Sequence, residues 1–121
     1  MPSHRIILAA LFSGLLISVS GNVHAASFDC NGKSLKADEK AICANRDLND
    51  LDVKMVTQFN WLSGMLAMGG RGDLQDQQTA WLKTRQACKS DKICIRKAYD
   101  ARLKAFDDLY NKFERPAPMQ Q

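Results

Sequence analysis

The sequence predicts an all-α fold: a small antiparallel helical hairpin or three-helix bundle fastened by two disulfides. Three observations carry this. Beyond residue 25 no alternating Val/Ile/Thr run occurs, so strand signals are nearly absent. Apolar residues instead recur at three- and four-residue steps along segments separated by short breaks. Four cysteines, Cys30, Cys43, Cys88 and Cys94, complete the pattern, an even count in a chain of only 121 residues.

Residues 1–25 read as a secretory signal peptide. Arg5 supplies the charge of its first part, and an apolar stretch of about 14 residues follows, short of the roughly 20 that span a bilayer. Val23-His24-Ala25 ends it with small residues suited to cleavage after Ala25. Only His4 and His24 are present in the chain, and both leave with this segment. The processed protein then has sixteen basic and thirteen acidic residues, a net charge of +3 against +4 for the whole chain. Its expected place is a bacterial periplasm or the outside of the cell. Cys30 follows Ser27-Phe28-Asp29, not the small apolar residues that precede a lipidated cysteine, and no stable membrane insertion is expected after cleavage.

One domain, residues 26–115, follows, with a loose tail at 116–121. The cysteine spacing lacks the paired C-x2-C of zinc sites and the C-x-x-C of thiol chemistry, which leaves structural disulfides. Of three possible pairings, the two local ones, Cys30–Cys43 and Cys88–Cys94, are favoured because each sits near a predicted helix end. Closing a loop of about 14 residues contributes roughly 3 kcal/mol, a large share of a net stability of about 5–10 kcal/mol.

The first helix is short, about residues 36–43. Asn45 then caps a long one, with Asp47 in its first turn and Leu48, Leu51, Met55, Phe59, Leu62 and Leu66 forming its apolar stripe. The expected span is about 46–68, stopped by Gly69-Gly70-Arg71-Gly72. Asp73 is the expected cap of the next helix, whose stripe is Leu74, Gln78, Trp81, Leu82, Arg85 and Cys88. Gln78 and Arg85 within it must snorkel or find hydrogen bonds. A bend at Lys89-Ser90-Asp91 precedes the last helix, capped by Ser90 or Asp91, with Ile95, Tyr99, Leu103, Phe106, Leu109, Tyr110 and Phe113 facing inward. Pro116 and Pro118 end it.

Without histidine, triads, Cys–His dyads and His metal ligands are excluded from the processed chain. No catalytic constellation, metal site or cofactor motif emerges. The aspartates, including Asp47, Asp50 and Asp52, fall on the expected polar helix faces. Charge is unevenly placed: residues 38–52 carry a net −3 and residues 83–97 a net +5. The two stretches should lie at one end of the bundle and largely compensate. Lys92, Arg96 and Lys97 fit compensation less well, since positive charge at a helix start opposes the dipole. They are candidate partner-binding residues, as are Asp47, Asp50 and Asp52. Trp81 reads as core. Trp61 reads as half-buried at the stripe edge and, if exposed, as an anchor for a partner. Nucleic acid is not an expected partner at this compartment and charge.

Several pieces together resemble a known family. They are Ser27-Phe28-Asp29-Cys30, Glu39-Lys40-Ala41-Ile42-Cys43, Leu48-x-x-Leu51-Asp52, Gln78-x-x-Trp81-Leu82-x-x-Arg85-x-x-Cys88, and Cys94 with Tyr99-x-x-Arg102-Leu103. Over residues 27–110 the chain resembles the LprI-like family of exported bacterial proteins, whose domain is named after a mycobacterial lysozyme inhibitor. The resemblance implies a small helical, disulfide-bonded envelope protein and, by name, a lysozyme inhibitor. With no catalytic constellation, the expectation is a non-enzymatic protein that binds lysozyme or another envelope protein. The other expectation is a structural or stress-related protein that binds anionic envelope polymer or a membrane surface through its basic corner.

Overall fold

The computed structural model describes residues 26–114. The expected signal peptide, with His4 and His24, and the expected tail at 116–121 lie outside the described residues. Within them the chain is all-α: α1 (Ala37–Cys43), α2 (Arg46–Met65), α3 (Met68–Ala87) and α4 (Lys92–Glu114). Both local disulfides are present, Cys30–Cys43 and Cys88–Cys94.

The helix starts follow from side-chain chemistry. Glu39 Oε2 accepts from the Lys36 backbone N–H (2.8 Å) ahead of α1. Asn45 Oδ1 accepts from Leu48 N (3.2 Å) and opens α2, as its sequence position predicts. Asp91 Oδ1 accepts from Ile93 N and Cys94 N and opens α4.

The break between α2 and α3 differs from the sequence expectation. α2 ends at Met65, and the three glycines lie inside the first turns of α3. The chain reverses instead at Leu66 and Ala67, both extended (ψ 141° and 166°). None of the described glycines has a positive φ, so no left-handed turn is made there. Arg71 explains why the junction holds. Its guanidinium donates to the carbonyls of Ser63 (2.9 Å) and Leu66 (3.2 Å), covering acceptors that the end of α2 leaves open. Asp73, expected as a cap, lies within the helix.

The α3–α4 corner does use a left-handed residue, Lys89 (φ 53°), next to the Cys88–Cys94 disulfide. α3 returns antiparallel to α2, and α4 returns antiparallel to α3. Hence α2 and α4 run side by side in the same direction. Arg96 meets Asp47 at one end (3.4 Å), and Trp61 meets Tyr110 toward the other (5.2 Å). α1 closes the first end.

The core is the predicted stripe with heptad spacing. Leu48, Met55 and Leu62 of α2 are buried against Leu74 and Trp81 of α3 and Ile95, Tyr99, Leu103 and Phe106 of α4, with Ile42 of α1 beneath. Fully burying such a side chain contributes about 1.5–3 kcal/mol. Leu51, Phe59 and Leu66 are only partly buried, at the stripe's edges. Phe113, expected inside, is exposed: it lies one turn beyond Leu109 and Tyr110, the last residues of α4 that pack against the core.

Candidate functional site

Two places bring polar chemistry together. The first lies inside the end closed by α1. Arg85 projects from α3 into the interior and is 2% exposed; Asp38 and Asp52 beside it are wholly buried. Arg85 Nε donates to Asp38 Oδ2 (2.9 Å), and Nη1 donates to Asp52 Oδ1 (3.3 Å) and to the Tyr99 hydroxyl (3.2 Å). Tyr99 in turn donates to Asp52 Oδ1 (2.7 Å), and the backbone N–H of Ser27 donates to Asp52 Oδ2 (2.6 Å). Four helices and the leading segment thus meet on one guanidinium. The Phe28 and Trp81 rings lie over it, each centroid 5.6 Å away.

The electrostatics follow from burial. Desolvation opposes the Arg85 charge, yet its pKa lies above the usual guanidinium value. The oxygens of Tyr99 and Asp38 attract it and accept from it more strongly than burial penalises it. Burial pushes the Tyr99 phenol well up, and the Asp52 charge adds to the rise. Trp81 anchors the same layer by donating its indole N–H to the Ala98 carbonyl (2.8 Å). One layer further along, Arg102 donates to Gln78 Oε1 (2.9 Å) and lies over Phe106 (4.4 Å). Burial among these neutral partners lowers its pKa.

Asp52 was expected on a polar face, as a partner contact, and the structure corrects this. It lies four residues after Leu48 and three before Met55, inside the apolar stripe, where Arg85 and Tyr99 receive its charge. Asp38 and Tyr99 are network members that the sequence reading did not single out as polar partners. The signal available was a charged residue at a core spacing on two helices, Asp52 and Arg85, which together demand one another. The network is fit for holding the fold; it presents no group to solvent.

The second place is the open end. Trp61 is 55% exposed and rests on Tyr110 (centroids 5.2 Å). Gln58, Trp61, Leu62, Phe106, Asp107 and Tyr110 line a groove of about 320 Å³ between α2 and α4. An exposed indole backed by a partly buried tyrosine, beside a carboxylate, suits a cationic or amphipathic side chain.

The remaining predicted contacts lie at the closed end. Asp47, Asp50, Lys92, Arg96 and Lys97 are all exposed. Arg96 reaches Asp47 at 3.4 Å, so the acidic and basic stretches do meet. Side chains 46% and 76% exposed are screened, and such a pair contributes no more than about 1 kcal/mol. Ile93, 69% exposed, stands among these basic residues.

Among the described residues no group of three or more His, Cys, Asp or Glu is placed to hold a metal ion, and no helix is long and apolar enough to cross a membrane. The fold and these two places define an all-α, disulfide-stapled bundle with a buried ion network and an exposed aromatic groove. Comparison with protein-family models, with curated proteins and with solved structures gave no match.

Proposed function

We propose that this is an exported, non-enzymatic binding protein that docks a cationic protein through the open-end groove. A lysozyme is the partner the LprI-like resemblance implies. The observation that carries the reading is Trp61. It is the largest side chain left more than half exposed, it is held in place by Tyr110, and it borders a groove that includes Asp107. Aromatic anchors of this kind dominate binding energy at interfaces. A carboxylate next to two rings favours a lysine or arginine from the partner. Asp107, the one charged residue lining the groove, offers a cationic partner a local counter-charge on a net basic protein. The test is a cell-wall lysis assay with purified protein at micromolar excess over lysozyme. Slowed lysis that Trp61→Ala and Asp107→Asn relieve supports the reading; undiminished lysis overturns it.

A second reading rests on Ile93. An exposed isoleucine among Lys92, Arg96 and Lys97 suits an anionic polymer or membrane surface. Co-sedimentation with anionic vesicles, lost in high salt and on Lys92→Glu with Lys97→Glu, would favour it over the first.

A further inference from the structure

The buried network carries more negative than positive charge. Asp38 and Asp52 are fully enclosed with a single guanidinium, and Glu39 Oε1 lies 4.0 Å from Arg85 Nη2 as a third carboxylate. One oxygen of the enclosed Asp38, Oδ1, has no hydrogen-bond partner. Burying net charge is costly unless a counter-charge is supplied.

The leading segment runs into this place. Ala26 is 9% exposed, and Ser27 N lies 2.6 Å from Asp52 Oδ2. Bond lengths keep consecutive backbone nitrogens within about 3.7 Å, so the Ala26 nitrogen lies within about 6 Å of Asp52 Oδ2. In the unprocessed chain that nitrogen is a neutral amide. Hydrolysis of the Ala25–Ala26 bond adds water across it. The hydroxyl stays on the Ala25 carbonyl carbon, which becomes a carboxylate, and the Ala26 nitrogen leaves as an ammonium.

We propose that the α-ammonium of Ala26, released by an export endopeptidase, is the second cation of the buried network and that its formation locks the fold. The proposal rests on the export reading, with cleavage after Ala25, and is independent of the lysozyme partner. In this proposal cleavage precedes folding, since Ala26 itself is buried in the folded protein. The precursor, lacking that charge, is the less stable form, which suits a chain that crosses a membrane unfolded.

Two forces act on the new amine. Burial and Arg85 of α3 lower its pKa; Asp52 of α2 and Asp38 and Glu39 of α1 raise it. Three carboxylates against one guanidinium decide the sign, upward. Tyr99 of α4 also faces the network, but its phenol is shifted upward and stays neutral through the relevant range. A raised amine stabilises fully below its ordinary pKa of about 7.7–8.0 and ceases to do so as pH rises through its folded value.

The test begins with the intact mass of the exported protein, which must start at Ala26; any other start overturns the proposal. The α-amine of that protein is then reductively methylated with a 13C label and titrated by NMR. An α-amine pKa at least about one unit above the ordinary value, lost on urea unfolding, is expected. An ordinary value overturns it. As a second measurement, a chain carrying Gly-Ser ahead of Ala26 should melt several degrees lower at pH 7 and show no extra loss between about pH 8 and 10. Equal melting and equal pH profiles overturn the proposal, whatever the lysis assay shows.

Discussion

Arg85 donates its Nε proton to Asp38 Oδ2 at 2.9 Å, joining residues 47 apart in sequence with both side chains shut off from solvent. This contact ties α1, which has no long apolar stripe of its own, to the last turn of α3. The same guanidinium holds Asp52, so removing it strands two enclosed carboxylates at once.

Arg85→Ala should therefore cost about 3–5 kcal/mol, the range for breaking a buried ion pair from one side. For a domain of this size that lowers Tm by at least about 12 °C. Arg96→Ala, which removes an exposed pair with Asp47, should cost less than about 1 kcal/mol. Urea and thermal unfolding followed by circular dichroism check both; equal losses would contradict the ranking by burial.

The raised Tyr99 phenol gives a pH prediction. In the unfolded chain a tyrosine loses its proton near pH 10, while the folded one retains it. The folded state then binds more protons, so stability is present below about pH 10 and falls as pH rises above it, by up to about 1.4 kcal/mol per unit. Tyr99→Phe should remove this component. It should also cost about 1–3 kcal/mol at pH 7, because Asp52 loses a buried donor. Unfolding free energies measured at pH 7 to 11 for both chains decide it.

What the sequence made legible, and what it did not, divides along physical lines. Local signals were sufficient for the stripes apart from Phe113, for the Asn45 cap, for a cap at Ser90 or Asp91, and for both disulfides, because helix periodicity and capping act within a few residues. Asp52 was misplaced because a carboxylate in a stripe reads as surface until its partners are known, and Arg85 and Tyr99 lie 33 and 47 residues away. The glycine run misled for a different reason. Glycine is compatible with a helix start, and the reversal depends on Arg71 reaching back to Ser63 and Leu66. Trp61 lies on an ambiguous stripe edge, one residue before the buried Leu62, and its exposure is decided by how α2 packs against α4.

That reading of the glycines can be checked directly. A Cβ added at Gly69 or Gly72 meets nothing within 4 Å, and both residues are helical. Gly69→Ala and Gly72→Ala should each stabilise the fold by about 0.5–1 kcal/mol, through helix propensity and a less disordered unfolded chain. Gly70→Ala should gain less, since its Cβ would come within 3.1 Å of Leu66 Cδ2 and that side chain must shift. If the run were a left-handed turn, all three alanines would destabilise instead. Chemical denaturation midpoints separate the two outcomes.

The two tryptophans should behave oppositely. Trp81 is 9% exposed, packs on Tyr99 (5.3 Å) and spends its N–H on the Ala98 carbonyl. Trp81→Ala should cost about 3–5 kcal/mol by leaving a large cavity beside the ion network. Trp61, mostly in solvent, loses only its contact with Tyr110, so Trp61→Ala should cost no more than about 1.5 kcal/mol. Acrylamide should quench the fluorescence of the Trp81→Phe chain, in which only Trp61 emits, far more strongly than that of Trp61→Phe. If Trp61→Ala destabilised as much as Trp81→Ala, the ring would be part of the core. Its role as the anchor of a docking surface would then fall with that result, since a side chain the fold cannot spare is a poor candidate for one kept exposed for a partner.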